Sequence, residues 1–263
     1  MESSVSELDL EIVRLAHTAG QVIMEIYAAP IEVATKSDHS PVTQADQQAE
    51  DVILAGLKKL CPEIPVLAEE SVSKGNIPEI GARFFLVDPL DGTKEFISRN
   101  GEFTVNIALI ENNVPIFGVI YAPALGDIYF GRLGQGAMHA RLKTTEAWAG
   151  LGNTTAIRTR PMPVEGATVL ASRSHCDAET EAFIAKSKVA KLISAGSSLK
   201  FCKVAAGEAD LYPRFGRTME WDTAAGHAIL LAAGGKVLTI DGKPLGYGKK
   251  IRGFDNPAFI ASA

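Results

Sequence analysis

Apolar residues recur at helical spacing from the beginning of the chain. Leu8, Ile12, Leu15, Ala19, Val22, Ile23 and Ile26 predict an amphipathic helix, and Ser6 with Asp9 reads as its capping box. A loop is expected over 34–41. A second helix is expected over about 43–60, with Ala49, Val52, Ile53 and Leu57 on its apolar face. Beyond Pro62 the period shortens. Residues 64–68 predict a short strand, and Phe84-Phe85-Leu86-Val87 is a continuous apolar run, as in a strand buried on both faces. Strands over 104–110 and 114–121 are expected to form a hairpin turning at Glu111-Asn112-Asn113, with strands over 127–130 and 137–140 completing an antiparallel group.

Between about 143 and 165 the pattern dissolves into polar residues, Gly and two prolines, which predicts a connection between halves 1–150 and 151–263. Past it, strands (167–171, 191–195, 209–212, 236–240) alternate with helices (178–187, 197–206, 221–233). Alternation of this kind indicates α/β layering. The expected fold class is α/β, with an α+β N-terminal half and an α/β C-terminal half. There is no internal repeat or low-complexity tract.

The 263 residues suffice for one large domain or two smaller ones, and 46% hydrophobic with 22% charged residues is ordinary globular usage. The net charge of −5 argues against a nucleic-acid polymer as partner. No apolar run approaches the roughly 18–20 residues of a bilayer span. The opening MESSVSELDL lacks the basic and apolar regions of a secretory signal. Cys61, Cys176 and Cys202 have no metal-ligand spacing and cannot all pair, which favours a reducing cytoplasm.

The chemistry concentrates in acids at element ends. Asp88-Pro89-Leu90-Asp91-Gly92-Thr93 directly follows the apolar run ending at Val87. A buried strand delivers its last residue to the sheet edge, where open α/β sheets place ligands. Pro89 fixes φ and lacks a donor, Gly92 permits a tight turn, and residues 93–96 can open a short helix whose first amides face an anion. Asp88 and Asp91 can then converge on one point, as a hard divalent cation requires. The same hexapeptide also reads as an Asx-type turn. Glu69-Glu70 ends the strand over 64–68 but equally suits a solvated surface. Asp222, in Trp221-Asp-Thr-Ala-Ala225, opens a helix and suits a cap. Asp46 completes a Thr43-x-x-Asp46 capping box. Each acid has a local explanation; the set beside D-P-x-D-G-T does not.

These segments, with Ser40-Pro-Val-Thr-Gln-Ala-Asp46, resemble the inositol monophosphatase superfamily over nearly the whole chain. Ala171-Ser-Arg-Ser-His175, Gly196-Ser-Ser-Leu-Lys-Phe-Cys202, residues 209–216 and Gly242-Lys-Pro-Leu-Gly-Tyr247 are similar to its CysQ-type 3′(2′),5′-bisphosphate nucleotidase branch. The resemblance implies a layered αβαβα sandwich, shared with fructose-1,6-bisphosphatases, and a lithium-sensitive, Mg²⁺-dependent phosphatase. Glu69, Asp88, the Leu90 carbonyl, Asp91 and Asp222 would hold two Mg²⁺ ions. Asp46 and Thr93 would orient the attacking water, with Asp46 helping to hold a weaker third ion. The Gly92 and Thr93 amides would receive the phosphate. With no Cys in a phosphate loop and no His near the acids in sequence, direct attack by water is expected.

An acidic site needs separate positive groups for any second phosphate. Lys200, near a helix start, and Arg214, with its planar donor fork, are the candidates, followed by Arg173 and His175. Ser197 and Ser198 supply hydroxyl donors or cap the helix. All of these also suit an ordinary surface. The implied substrate contacts are thus Glu69, Leu90, Asp91, Gly92, Thr93, Ser197, Lys200, Arg214 and Asp222. The implied substrate is 3′-phosphoadenosine 5′-phosphate, a by-product of sulfate assimilation, hydrolysed to AMP and phosphate; the sulfated nucleotide is a second. An inositol or sugar phosphatase is the alternative, and a regulatory binding protein without catalysis the third. The resemblance also leaves room for a peripheral place on the cytoplasmic face of the inner membrane, although no basic amphipathic helix argues for one. Gly131-x-x-Gly134-x-Gly136 is assigned to turns, Trp221 to packing, His17 and His227 to structural roles, and His39 to a loop.

Overall fold

A computed structural model describes residues 6–30, 33–35, 41–171 and 178–263. Helix α1 (Glu7–Tyr27) begins where Ser6 Oγ accepts the Asp9 amide at 3.1 Å. Only half of the expected capping box forms. The Asp9 carboxylate turns instead to Arg132, whose Nε lies 2.7 Å away, because a buried acid is better neutralised by a guanidinium than by one amide. Where a loop is expected, β1 (Val33–Thr35) pairs antiparallel with β2 (Pro41–Thr43). Helix α2 (Gln44–Leu60) then starts with its box complete: Asp46 Oδ2 accepts the Thr43 amide at 2.7 Å and Thr43 Oγ1 accepts the Ala45 amide at 3.1 Å.

Seven strands follow as one sheet in sequence order: β3 (Val66–Ala68), β4 (Arg83–Asp91), β5 (Thr104–Glu111), β6 (Val114–Ala122), β7 (Asp127–Arg132), β8 (Gly136–Arg141) and β9 (Thr154–Ile157). Only β3 and β4 run parallel. Strand β9 lies within the stretch expected to be a connection. It is an edge strand with Thr154, Thr155 and Ala156 exposed, so it has no apolar alternation to reveal it. Two short helices, α3 (Glu69–Ser73) and α4 (Thr93–Ile97), leave the ends of β3 and β4.

A second sheet has the order β11-β10-β12-β14-β13, from β10 (Ala167–Ala171), β11 (Val189–Ser194), β12 (Leu211–Arg214), β13 (Lys236–Thr239) and β14 (Phe259–Ser262). Helices α5 (Ala178–Lys186), α6 (Leu199–Ala205) and α7 (Glu220–Ala232) connect its strands. Strand β14, absent from the sequence expectation, inserts between β12 and β13 and buries Phe259 and Ala261.

The layers follow from β4, whose run is buried on both faces. Phe85 and Val87 join the core formed by α1 and α2, whereas Phe84 and Leu86 join the core of α6, α7 and the second sheet. Helix α5 packs against β12 and completes the αβαβα stack. Gly118 lets α7 lie flush on β6, since a Cβ there would come within 2.4 Å of the Ala225 carbonyl oxygen. That contact places the start of α7, and so Asp222, by the end of β4.

Candidate active site

The end of β4 turns on a register shift. Asp88 opposes Asn106 and Asp91 opposes Thr104, so three steps on β4 match two on β5. Pro89, which has no N–H to give the ladder, sits in this bulge. Asp88 Oδ1 accepts the Leu90 amide at 3.0 Å, so the Asx-type turn is present. It does not exhaust the residue. Asp88 is buried, and its carboxyl is pushed well above the usual range by burial and by the charges of Glu69, Asp91 and Asp222. Gly92, at φ 93°, takes the left-handed conformation that starts α4.

Three elements therefore bring Glu69, Asp88, Asp91 and Asp222 into one electrostatic cluster. Burial pushes Asp91 up to about 6, against the pull of the Lys200 ammonium and an amide bond from Ser198. Asp222 is driven well above its ordinary range by burial, then by Asp91 and Glu69. Its Oδ2 also accepts the Met219 amide at 2.8 Å, so Asp222 caps α7 as well. Among the described residues, no three Asp, Glu, His or Cys side chains are already gathered into a closed ligand set. The donor chemistry nonetheless fits a hard divalent cation. Carboxylates that raise one another's pKa in a desolvated place lack positive charge, and such an ion would supply it.

Asp46 and Thr93 also meet. Thr93 Oγ1 donates to Asp46 Oδ1 at 3.2 Å, joining the first turns of α2 and α4, while Asp46 Oδ2 serves the cap. Leu90 is buried, its amide held by Asp88.

The basic candidates lie nearby with backbone partners of their own. Lys200 is buried, and its ammonium donates to the carbonyls of Ala195 at 3.2 Å and Ser197 at 2.6 Å, 5.5 Å from the Tyr212 ring centroid. Burial pushes its pKa down to about 8, opposed first by Asp91 and aided by Arg214. Arg214 donates to the carbonyls of Gly216 and Arg217. Ser197 has φ 41°, and its buried Oγ has no partner among the described residues. Ser198 gives α6 no side-chain cap; its Oγ joins Thr104 Oγ1 at 2.8 Å and Asn106 Oδ1 at 2.7 Å. Arg173, His175, Cys176, His39 and Ser40 lie outside the described residues.

Sequence reasoning missed a second acidic layer. Buried Glu50 accepts the Glu70 amide at 2.7 Å and the Ser71 hydroxyl at 2.6 Å, anchoring α3 behind Glu69. Burial raises its carboxyl too, despite those bonds. The available signal was its place one helical turn after Asp46. Glu102, whose carboxylate accepts the Gly196 amide at 2.9 Å, and Glu95 were also missed; both charges act on Lys200. The three described histidines have partners away from the cluster: His17 Nε2 lies 3.1 Å from the Lys143 carbonyl, His139 Nε2 lies 2.7 Å from Asp127 Oδ1, and buried His227, lowered to about 3 by desolvation, lies 3.0 Å from the Tyr247 hydroxyl.

The fold and the cluster agree with what this chain is similar to. A profile of the inositol monophosphatase family matches residues 4–258. The chain belongs to that family. Within it, the protein is 46% identical over 257 residues to the 3′(2′),5′-bisphosphate nucleotidase CysQ of Escherichia coli (strain K12), covering 96% of this chain and 98% of that one. The crystal structure of CysQ from Bacteroides thetaiotaomicron superimposes with a TM-score of 0.81 at 41% identity, covering 97% of this chain and 96% of that one. An inositol monophosphatase from Thermotoga maritima is more distant, with a TM-score of 0.75 and 27% identity over 95% of this chain and 89% of that one.

Proposed function

We propose that this family member is a Mg²⁺-dependent 3′(2′),5′-bisphosphate nucleotidase that hydrolyses 3′-phosphoadenosine 5′-phosphate to AMP and phosphate. The observation that carries this reading is the cluster of buried Asp88 with half-buried Glu69, Asp91 and Asp222, on which the positive charges of Lys200 and Arg214 act. The full-length likeness to nucleotidases supports the nucleotide over a plain inositol phosphate.

Glu69, Asp88, the Leu90 carbonyl, Asp91 and Asp222 would hold two Mg²⁺ ions, with a third beside Asp46. When bound, the metal supplies Lewis-acid activation of water and neutralises charge on the leaving oxygen. Asp46 fixes the Thr93 hydroxyl by accepting its hydrogen. The Thr93 lone pairs then accept from the attacking water and aim it at phosphorus. The amides of Gly92 and Thr93 meet the transferred phosphate, and Lys200 and Arg214 supply the field for the second one. Lys200 does this while fixing the 195–197 loop, since two of its three N–H donors already serve that loop.

Asp91→Asn tests the reading, because it keeps shape and removes charge. The variant is expected to fold, shown by an unchanged circular dichroism spectrum, and to lose about a thousandfold or more in kcat/KM for the bisphosphate. Activity near that of the parent protein would contradict the ligand assignment.

A further inference from the structure

We propose that Asn256 is a positioning residue for Asp222, holding the backbone whose N–H orients that carboxylate. The inference rests on the assignment of Asp222 to the cation site proposed above.

Asp222 Oδ2 is fixed by one donor, the Met219 amide at 2.8 Å. That N–H lies in the peptide plane it shares with the Thr218 carbonyl, and Asn256 holds this plane and the next one, which together fix the backbone at Met219. Its own amide donates to the Thr218 carbonyl at 2.9 Å, and its Nδ2 donates to the Met219 carbonyl at 2.7 Å. Nδ2 also reaches Thr218 Oγ1 and Thr223 Oγ1, each at 3.1 Å, which ties the segment to the first turn of α7. Because a carbonyl only accepts, the Met219 contact fixes which end of the Asn256 amide points inward. The two segments form a short antiparallel bridge at Met219 and Asp255, with Glu220 N donating to the Phe254 carbonyl.

The side chain is retained at a cost. Asn256 is 5% exposed, and its Oδ1 is buried without a partner among the described residues. An apolar residue would avoid that unpaired acceptor, so the position uses Asn for its donors. What the donors hold is the cap that keeps Asp222, repelled by Asp91 and Glu69, in a single orientation. Groups that orient a metal ligand in this way commonly contribute a factor of about 10–100 in metal affinity.

The test uses Mn²⁺ as probe, with free ion measured by electron paramagnetic resonance on the full chain. Asn256→Ala is expected to weaken binding at one ion about tenfold, with turnover regained at high Mn²⁺. In an Asp222→Asn background, the same change is expected to weaken binding no further. An unchanged dissociation constant, or equal weakening with and without Asp222, would overturn the inference. The single Asp222→Asn variant separates the underlying reading: Mn²⁺ binding like that of the parent protein would remove Asp222 from the cation site altogether. If Asn256→Ala does not fold, Thr223→Val takes its place, as it keeps the side-chain shape but removes one acceptor of Nδ2. Its binding is expected to weaken in the same direction by a smaller factor, and no change there would equally overturn the proposal.

Discussion

Asp46 and Asp222 both stand at the third position of a helix, and both give one oxygen to a cap. Asp46 gives Oδ2 to the Thr43 amide and Oδ1 to the Thr93 hydroxyl; Asp222 gives Oδ2 to Met219. A cap and a site residue are therefore not rival readings of these acids. The cap immobilises one oxygen and thereby aims the other. On the proposed mechanism, Thr93 has a positioning task that depends on its hydroxyl alone. Thr93→Ala is expected to lower kcat about a hundredfold while leaving Mn²⁺ binding unaltered. Turnover equal to that of the parent chain would remove Thr93 from the reaction. Legibility at this scale follows chemistry. Asp88 and Asp91 stand out because acids rarely follow a fully apolar run without reason. Glu50 does not, because one Glu on a helix looks solvated until α3 covers it.

At the scale of elements, strong periodicity and position in the sheet decide what can be read. The run at 84–87 is apolar throughout because its two faces belong to two cores, and the sequence expectation for β4 rests on that feature. Strand β9 escapes because an exposed edge needs no apolar face, and β14 because four residues near the chain end give too short a pattern. The hairpin of β1 and β2 is shorter still. The element with most consequence for the site is α7, which lies on β6 by way of Gly118. Gly118→Ala is expected to destabilise the protein by about 2 kcal/mol or more, since its new methyl meets backbone and not a movable side chain. Urea unfolding measures this. A variant as stable as the parent would show that α7 can lift from the sheet without loss.

Across the whole molecule, the net charge of −5 conceals a local excess of negative charge where the end of β4 meets the starts of α3 and α7. The linkage has a definite sign. Asp91 is raised from 3.8 to about 6, and burial with neighbouring acids drives Asp88 and Asp222 well above the usual range in the same direction. Between those unfolded and folded values, the folded state binds more protons than the unfolded one. Stability therefore falls as pH rises through the folded values. Buried neutral His227, lowered to about 3, acts in the opposite sense below its ordinary 6.5, so the comparison is made above that value: metal-free protein is expected to melt at a higher temperature at pH 6.5 than at pH 7.5, and Mg²⁺ is expected to raise melting most at pH 7.5. A flat profile in chelator, unaltered by Mg²⁺, would show that the acids do not act as one cluster.

Action of that cluster on a substrate with two phosphates is tested most directly by Mg²⁺-dependent phosphate release from 3′-phosphoadenosine 5′-phosphate and from inositol 1-phosphate, measured side by side. At least about a hundredfold preference for the nucleotide in kcat/KM is expected, roughly 2.7 kcal/mol of added transition-state binding. Equal rates, or a preference for the inositol ester, would contradict it.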